Sequence, residues 1–112
     1  MCKELLKKLC AETKAELENN ILPFWMTVMV DRERGGFYGR ITGEDVLEET
    51  ASKGAILNAR ILWTFSAAYR LLGKREYLET ATRAKRYLID YFYDPEFGGV
   101  YWELDCQGKP LD

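Results

Sequence analysis

The sequence predicts an all-α protein whose helices pair in two layers and are joined by short β-hairpins. Two observations carry that reading. A helical stretch apolar on nearly every side is followed, after a tight Gly73-Lys74 turn, by an amphipathic one, the pattern of an inner and an outer helix. There is also an internal repeat. Asp31-Arg32-Glu33-Arg34-Gly35-Gly36-Phe37-Tyr38 returns 63 residues later as Asp94-Pro95-Glu96-Phe97-Gly98-Gly99-Val100-Tyr101. The shared pattern, D-x-E-x-G-G-apolar-Y, is identical at five of eight positions and marks a unit of inner helix, outer helix and hairpin.

Taken in order, the first helix is expected from about Lys3 to Asn20. Leu5, Leu6, Leu9, Cys10 and Leu17 fall at helical spacing, and Asn19-Asn20 before Pro23 reads as a stop. An apolar stretch over 24–30 leads into a turn at 31–36. Phe37-Tyr38-Gly39-Arg40-Ile41 reads as a short strand and Gly43-Glu44-Asp45 as another turn, together a loose hairpin. The inner helix is expected from Ser52, a possible N-cap, to Leu72, with Gly73 at C′. The outer helix is expected over about 75–91. Tyr77, Leu78, Ala81, Ala84, Leu88 and Tyr91 form its apolar face, and Glu79, Thr82, Arg83, Arg86 and Asp90 its polar one.

The chain holds one whole unit plus the outer helix and hairpin of the unit before. Helix-pair units bury their inner faces by stacking, so about three or more are expected. The count here is short. The expectation is therefore one incomplete domain over 1–112: an N-terminal fragment, or a chain that self-associates through its exposed inner-helix faces.

Composition narrows the chemistry. Hydrophobic residues are 47% and charged residues 30%, an ordinary globular balance that excludes disorder. The net charge of −2 gives no footprint for nucleic acid. No apolar run reaches the roughly 18 residues of a membrane span, and the N-terminus lacks a signal peptide's apolar core. There is no histidine, which removes the commonest general base and metal ligand. Cys2, Cys10 and Cys106 have no CxxC spacing, so no zinc site and no disulfide framework is expected. Three reduced thiols point to the cytoplasm.

Arg60 is the leading candidate side chain. It sits mid-helix in a segment that reads as buried, sharing a face with Lys53 and Thr64, and no carboxylate lies within a turn. A buried guanidinium needs partners. Either Arg60 makes a structural ion pair or snorkels, or it lines a polar cavity as an oxygen-binding cation. Trp25, Trp63 and Trp102, with Tyr38 and Tyr101, offer rings for stacking on sugars, against the alternative of core packing. Trp102, just after the Gly-Gly turn, is the best placed of these. Glu44-Asp45 and Glu48-Glu49 read as solvated loop. Phosphate-loop patterns are absent.

Two blocks resemble a known family. Ile21-Leu22-Pro23-Phe24-Trp25 and Asp31-Arg32-Glu33 leading into Gly35-Gly36-Phe37-Tyr38-Gly39-Arg40-Ile41 form the first. Lys53-Gly54-Ala55-Ile56-Leu57-Asn58-Ala59-Arg60-Ile61-Leu62-Trp63-Thr64-Phe65 forms the second. Both are similar to the start of the cellobiose 2-epimerases of the N-acylglucosamine 2-epimerase superfamily, and the likeness runs from about Leu5 to Gly108. The resemblance implies an (α/α)6 barrel, of which this chain holds about three of twelve helices; six units would need roughly 380 residues. It implies epimerisation at C2 of the reducing-end glucose of a β-1,4-linked disaccharide such as cellobiose, through an enediolate, with no metal or other cofactor. In the family two histidines from later helices move the proton, and the arginine matching Arg60 contacts the sugar oxygens near the reacting carbons. Trp102 and Trp63 are the substrate-binding candidates. Lacking histidine, this chain alone is expected to be inactive. Two other readings stand beside this one: an aldose–ketose isomerase or N-acylglucosamine 2-epimerase of the same superfamily, or a non-catalytic, self-associating helical module.

Overall fold

The computed structural model describes residues 2–112. Helix α1 (Cys2–Glu16) does not stop at the asparagine pair. It runs on through a π-helical turn, Leu17–Ile21, into α2 (Leu22–Thr27). The expected stop fails for two physical reasons. The Asn20 side chain donates back to the Glu16 carboxylate, four residues earlier, instead of capping an end. Pro23 falls just past the π-helical turn, in the first turn of α2, where the hydrogen-bond ladder has already left the regular α pattern.

The rest is a helix pair with hairpins packed at one end. Strand β1 (Lys53–Gly54) pairs antiparallel with β2 (Glu103–Leu104), Lys53 opposite Leu104. Helix α3 (Ala55–Leu72) starts straight from β1, so Gly54 is its N-cap, not Ser52. The Ser52 hydroxyl donates instead to Glu103 Oε2 at 2.7 Å. Gly73 ends the helix in the left-handed region at φ 71°, as its position predicts. Helix α4 (Arg75–Tyr87) returns along α3 and ends in a second π-helical turn, Leu88–Phe92.

Leu22, Val30, Phe37, Ile61, Phe65, Tyr77 and Ala84 form the main core, and Ala55, Tyr87, Phe92 and Leu104 a second cluster under the hairpins. Helix α3 is not enclosed. Ala55, Asn58, Ile61, Phe65 and Ala68 are buried, while Trp63 is 73% and Leu71 84% exposed. Its apolar circumference meets neighbours from this chain on one side only. Helix α1 buries nothing, and its Leu5, Leu6 and Leu9 are exposed. The radius of gyration, 16.2 Å, accordingly exceeds the roughly 13 Å of a compact chain this long. Leu78 on α4 and Tyr91 in the π-helical turn after it, both expected on the apolar face, lie exposed, while Tyr77, Thr80, Ala81, Ala84 and Tyr87 are buried.

The sequence repeat is a structural repeat, bond for bond. Asp31 Oδ1 accepts the amides of Glu33 and Arg34, as Asp94 Oδ1 accepts those of Glu96 and Phe97. The Gly35 amide donates to Asp31 O, and the Gly98 amide to Asp94 O. Val30 bridges Phe37 as Tyr93 bridges Val100. Both glycine pairs take positive φ. Their surroundings differ. A Cβ on Gly36 would lie 2.8 Å from the Tyr87 ring, whereas one on Gly98 would meet nothing within 4 Å. Gly36→Ala should therefore lower the urea midpoint clearly more than Gly98→Ala, which pays only backbone strain of about 1 kcal/mol. Equal losses would contradict the packing assigned to Tyr87.

Candidate functional site

Arg60 projects from the second turn of α3, on the side its own chain leaves open. It is exposed, and among the described residues its guanidinium enters no ion pair or hydrogen bond. Neither the structural ion pair nor the burial expected from sequence is found. The apolar residues around it in sequence suggest enclosure, but they face the other way or stand exposed themselves. Arg60 edges a recess of about 200 Å3 with Ile21, Trp25, Leu57, Thr64 and Phe65. An unengaged fork of donors over an apolar wall is suited to an oxygen-rich ligand, because each charged hydrogen bond strengthens as water is excluded.

Trp63 lines a separate groove of about 680 Å3 between α1 and α3, with Leu6, Leu9, Ala67 and Leu71. Thr64 lies between the two, lining both. Trp102 stands 62% exposed on the hairpin, its carbonyl accepting the Ala55 amide at the start of α3. Neither tryptophan packs in the core. The structure thus spreads Trp102, Arg60 and Trp63 over the first half of α3, and Arg60 and Trp63 line different cavities. Trp25 is half-buried against the core, edge-on to Phe24. Glu44, Asp45 and Glu49 are exposed, and Glu48 pairs with Arg40 at 3.5 Å across solvent, as a solvated loop should.

Lys53 does not share Arg60's face. It lies in β1, fully buried, with Nζ donating to Asp31 Oδ2 at 2.9 Å and to Gly35 O at 2.8 Å, 5.2 Å from the centre of the Tyr87 ring. Arg83, placed by periodicity on the solvent face, turns inward and donates to Gly36 O at 3.0 Å and Asp31 O at 2.6 Å. Sequence reasoning missed this junction; the one available signal was an Asp that recurs with the glycine turn. Burial pushes the Asp31 carboxyl up, but the Lys53 bond and charge and the Arg34 and Glu33 amides outweigh it and hold the pKa below 3.8. Burial pushes the Tyr87 hydroxyl up to about 12. Sealed from solvent, Asp31 and Lys53 are unsuited to proton transfer with a substrate. Among the described residues no group of His, Cys, Asp or Glu is arranged to hold a metal, and no helix is long and apolar enough to cross a membrane. Cys2, Cys10 and Cys106 are unpaired.

Residues 35–112 match the family model for N-acylglucosamine 2-epimerase (GlcNAc 2-epimerase). The chain is 67% identical over 109 residues to a cellobiose 2-epimerase of Bacteroides fragilis, covering 97% of this chain and 27% of that one. The solved cellobiose 2-epimerase of Bacillus thermoamylovorans superposes with a TM-score of 0.91 at 42% identity, over 95% of this chain and 27% of the other. A D-mannose isomerase superposes with a TM-score of 0.69 at 26% identity, over 80% and 23%. The chain thus spans about a quarter of the length of the relatives it matches.

Two stability outcomes follow from the geometry. Asp31 has a lowered folded pKa, so its contribution is complete above the ordinary value of 3.8 and is lost as pH falls below it. Denaturant melts should show that acid loss, and Asp31→Asn should flatten it; an unchanged profile would refute the pairing. Arg60→Ala should leave stability within about 0.5 kcal/mol, as befits an unpaired surface group.

Proposed function

Starting from the fact that the chain belongs to the N-acylglucosamine 2-epimerase family, we propose that it forms the N-terminal portion of an enzyme that epimerises the reducing-end glucose of cellobiose-like disaccharides at C2. The observation that carries the reading is Arg60: an exposed cation with no ion-pair or hydrogen-bond partner among the described residues, on the α3 face left uncovered, beside an apolar recess. The relatives named as cellobiose 2-epimerases support the substrate class.

The chemistry needs no redox change. The sugar ring opens to an aldehyde, and a base takes the C2 proton. The C–H electron pair forms the C1–C2 double bond, and the carbonyl pair moves to O1 as an enediolate. Return of a proton to the opposite face of C2 gives the mannose end. Arg60 donates to the developing oxyanion, where a placed hydrogen-bond donor is most effective. The proton-transfer groups come from outside these 112 residues, since the chain has no histidine and its buried Asp31–Lys53 pair is sealed. Trp102 and Trp63, both exposed, are proposed as stacking surfaces for the sugar rings. The exposed apolar residues of α1 and α3 support packing against further helices or a second copy, and the unpaired thiols support a cytoplasmic location.

The likeness to a D-mannose isomerase favours one second reading, aldose–ketose isomerisation. The intermediate is the same, but the proton returns to C1 and yields a ketose. Product analysis separates the two: glucosyl-mannose from cellobiose supports epimerisation, fructose-type products the alternative. In the full-length protein, Arg60→Ala should lower turnover on cellobiose on the order of a hundredfold or more. Unchanged turnover removes Arg60 from the mechanism.

A further inference from the structure

The repeated glycine turn presents one set of acceptors twice. In the first copy they are engaged. Lys53 Nζ reaches Asp31 Oδ2 and Gly35 O, Arg83 holds Gly36 O and Asp31 O, and the Tyr87 ring lies against the glycine pair. In the second copy the backbone matches closely. The Asp94 amide donates to Gly99 O at 3.0 Å and the Gly98 amide to Asp94 O at 2.9 Å, against 3.1 Å for both equivalents at Asp31. Yet this copy is turned outward. Gly98 and Gly99 are exposed, nothing lies within 4 Å of a Cβ on either, and Asp94 forms no ion pair among the described residues. A neutral side chain, Tyr101, faces Asp94; its hydroxyl is pushed up by burial, by the Asp94 charge and by a hydrogen bond with the Asp94 carboxylate, which leaves that charge without a cation.

We propose that the turn over residues 94–101 is a docking socket for a lysine ammonium at the head of a further inner helix, a segment with the Lys-Gly-helix chemistry of Lys53-Gly54 and α3. The first copy supplies the chemistry, because the same aspartate-and-carbonyl pair there holds a primary ammonium. It also supplies the geometry, because that lysine lies two residues before an apolar helix, 22 residues beyond the aspartate. A folded second copy is not the occupant, since its own Lys53 is fully buried in its own turn. Relatives about four times as long have room for further helix pairs. The proposal concerns assembly and stands apart from the chemistry proposed above.

The test is a titration of the 15N-labelled chain with a synthetic peptide of residues 52–73, followed at the Phe97, Gly98 and Gly99 amides. The expected result is saturable shifts at that turn. Lys53→Met in the peptide, or Asp94→Asn in the chain, should weaken binding on the order of tenfold. Combining the two should weaken it no further than either alone. Asp94→Asn keeps a side-chain oxygen for the Glu96 and Phe97 amides, and unchanged Asp31-turn signals verify its fold. If that variant does not fold, the Lys53→Met peptide decides alone. Equal binding by that peptide, shifts confined to the Trp63 and Leu71 face, or no binding would each overturn the proposal.

Discussion

The buried ion pair between Lys53 and Asp31 is the contact from which the rest of the arrangement is set. It joins the turn after α2 to the strand that starts α3, across 22 residues of chain. With it come the Gly35 carbonyl on the same ammonium, the Tyr87 ring over it, and Arg83 on the two neighbouring carbonyls. Such a pair contributes position more than net stability, because two charges leave water to make it. Once it forms, the start of α3 is pinned, and with it the direction in which Arg60 points. A residue with no polar partner among the described residues is thereby aimed by a residue seven positions earlier.

The packing has two sides of different character. Toward α4 the inner helix presents Ile61, Phe65 and Ala68 to Tyr77, Ala81 and Ala84, in a closed core. Away from α4 it presents Trp63, Leu71 and Arg60 to solvent, beside the equally uncovered leucines of α1. Single exposed apolar residues are ordinary, but a contiguous face along two helices marks a surface that packs against something. The proposed sugar site lies on that same open side. Binding and assembly therefore draw on one helix face, with Arg60 as its conspicuous charge.

Much of this was legible in the residues. The Gly73 turn, the inner–outer pairing and the 63-residue repeat follow from periodicity and from glycine's access to positive φ, both local properties. The structure adds that the two copies share their backbone hydrogen bonds. What stayed hidden was long-range. Nothing near Lys53 says that it leaves the helix for a two-residue strand, because its partner lies 22 residues away. Arg83 sits at a polar position by helical spacing, and only the approach of the first turn draws it inward. Asn19-Asn20 carries a stop signal that a side-chain bond to Glu16 overrides. Arg60 was legible as a candidate but misread in environment, since apolar sequence neighbours do not reveal which side of a helix will be covered.

The way the first turn is completed has a bearing on synthesis. Its aspartate is joined by an ammonium 22 residues later and its carbonyl by a guanidinium 52 residues later. A ribosome adding about 5–20 residues per second delivers that second partner some 3–10 seconds after the turn itself. The turn is thus made early, and its closure is timed by later translation. Folding of this region acquires a direction, from the N-terminus onward, with the first glycine turn waiting for the strand and helix made after it.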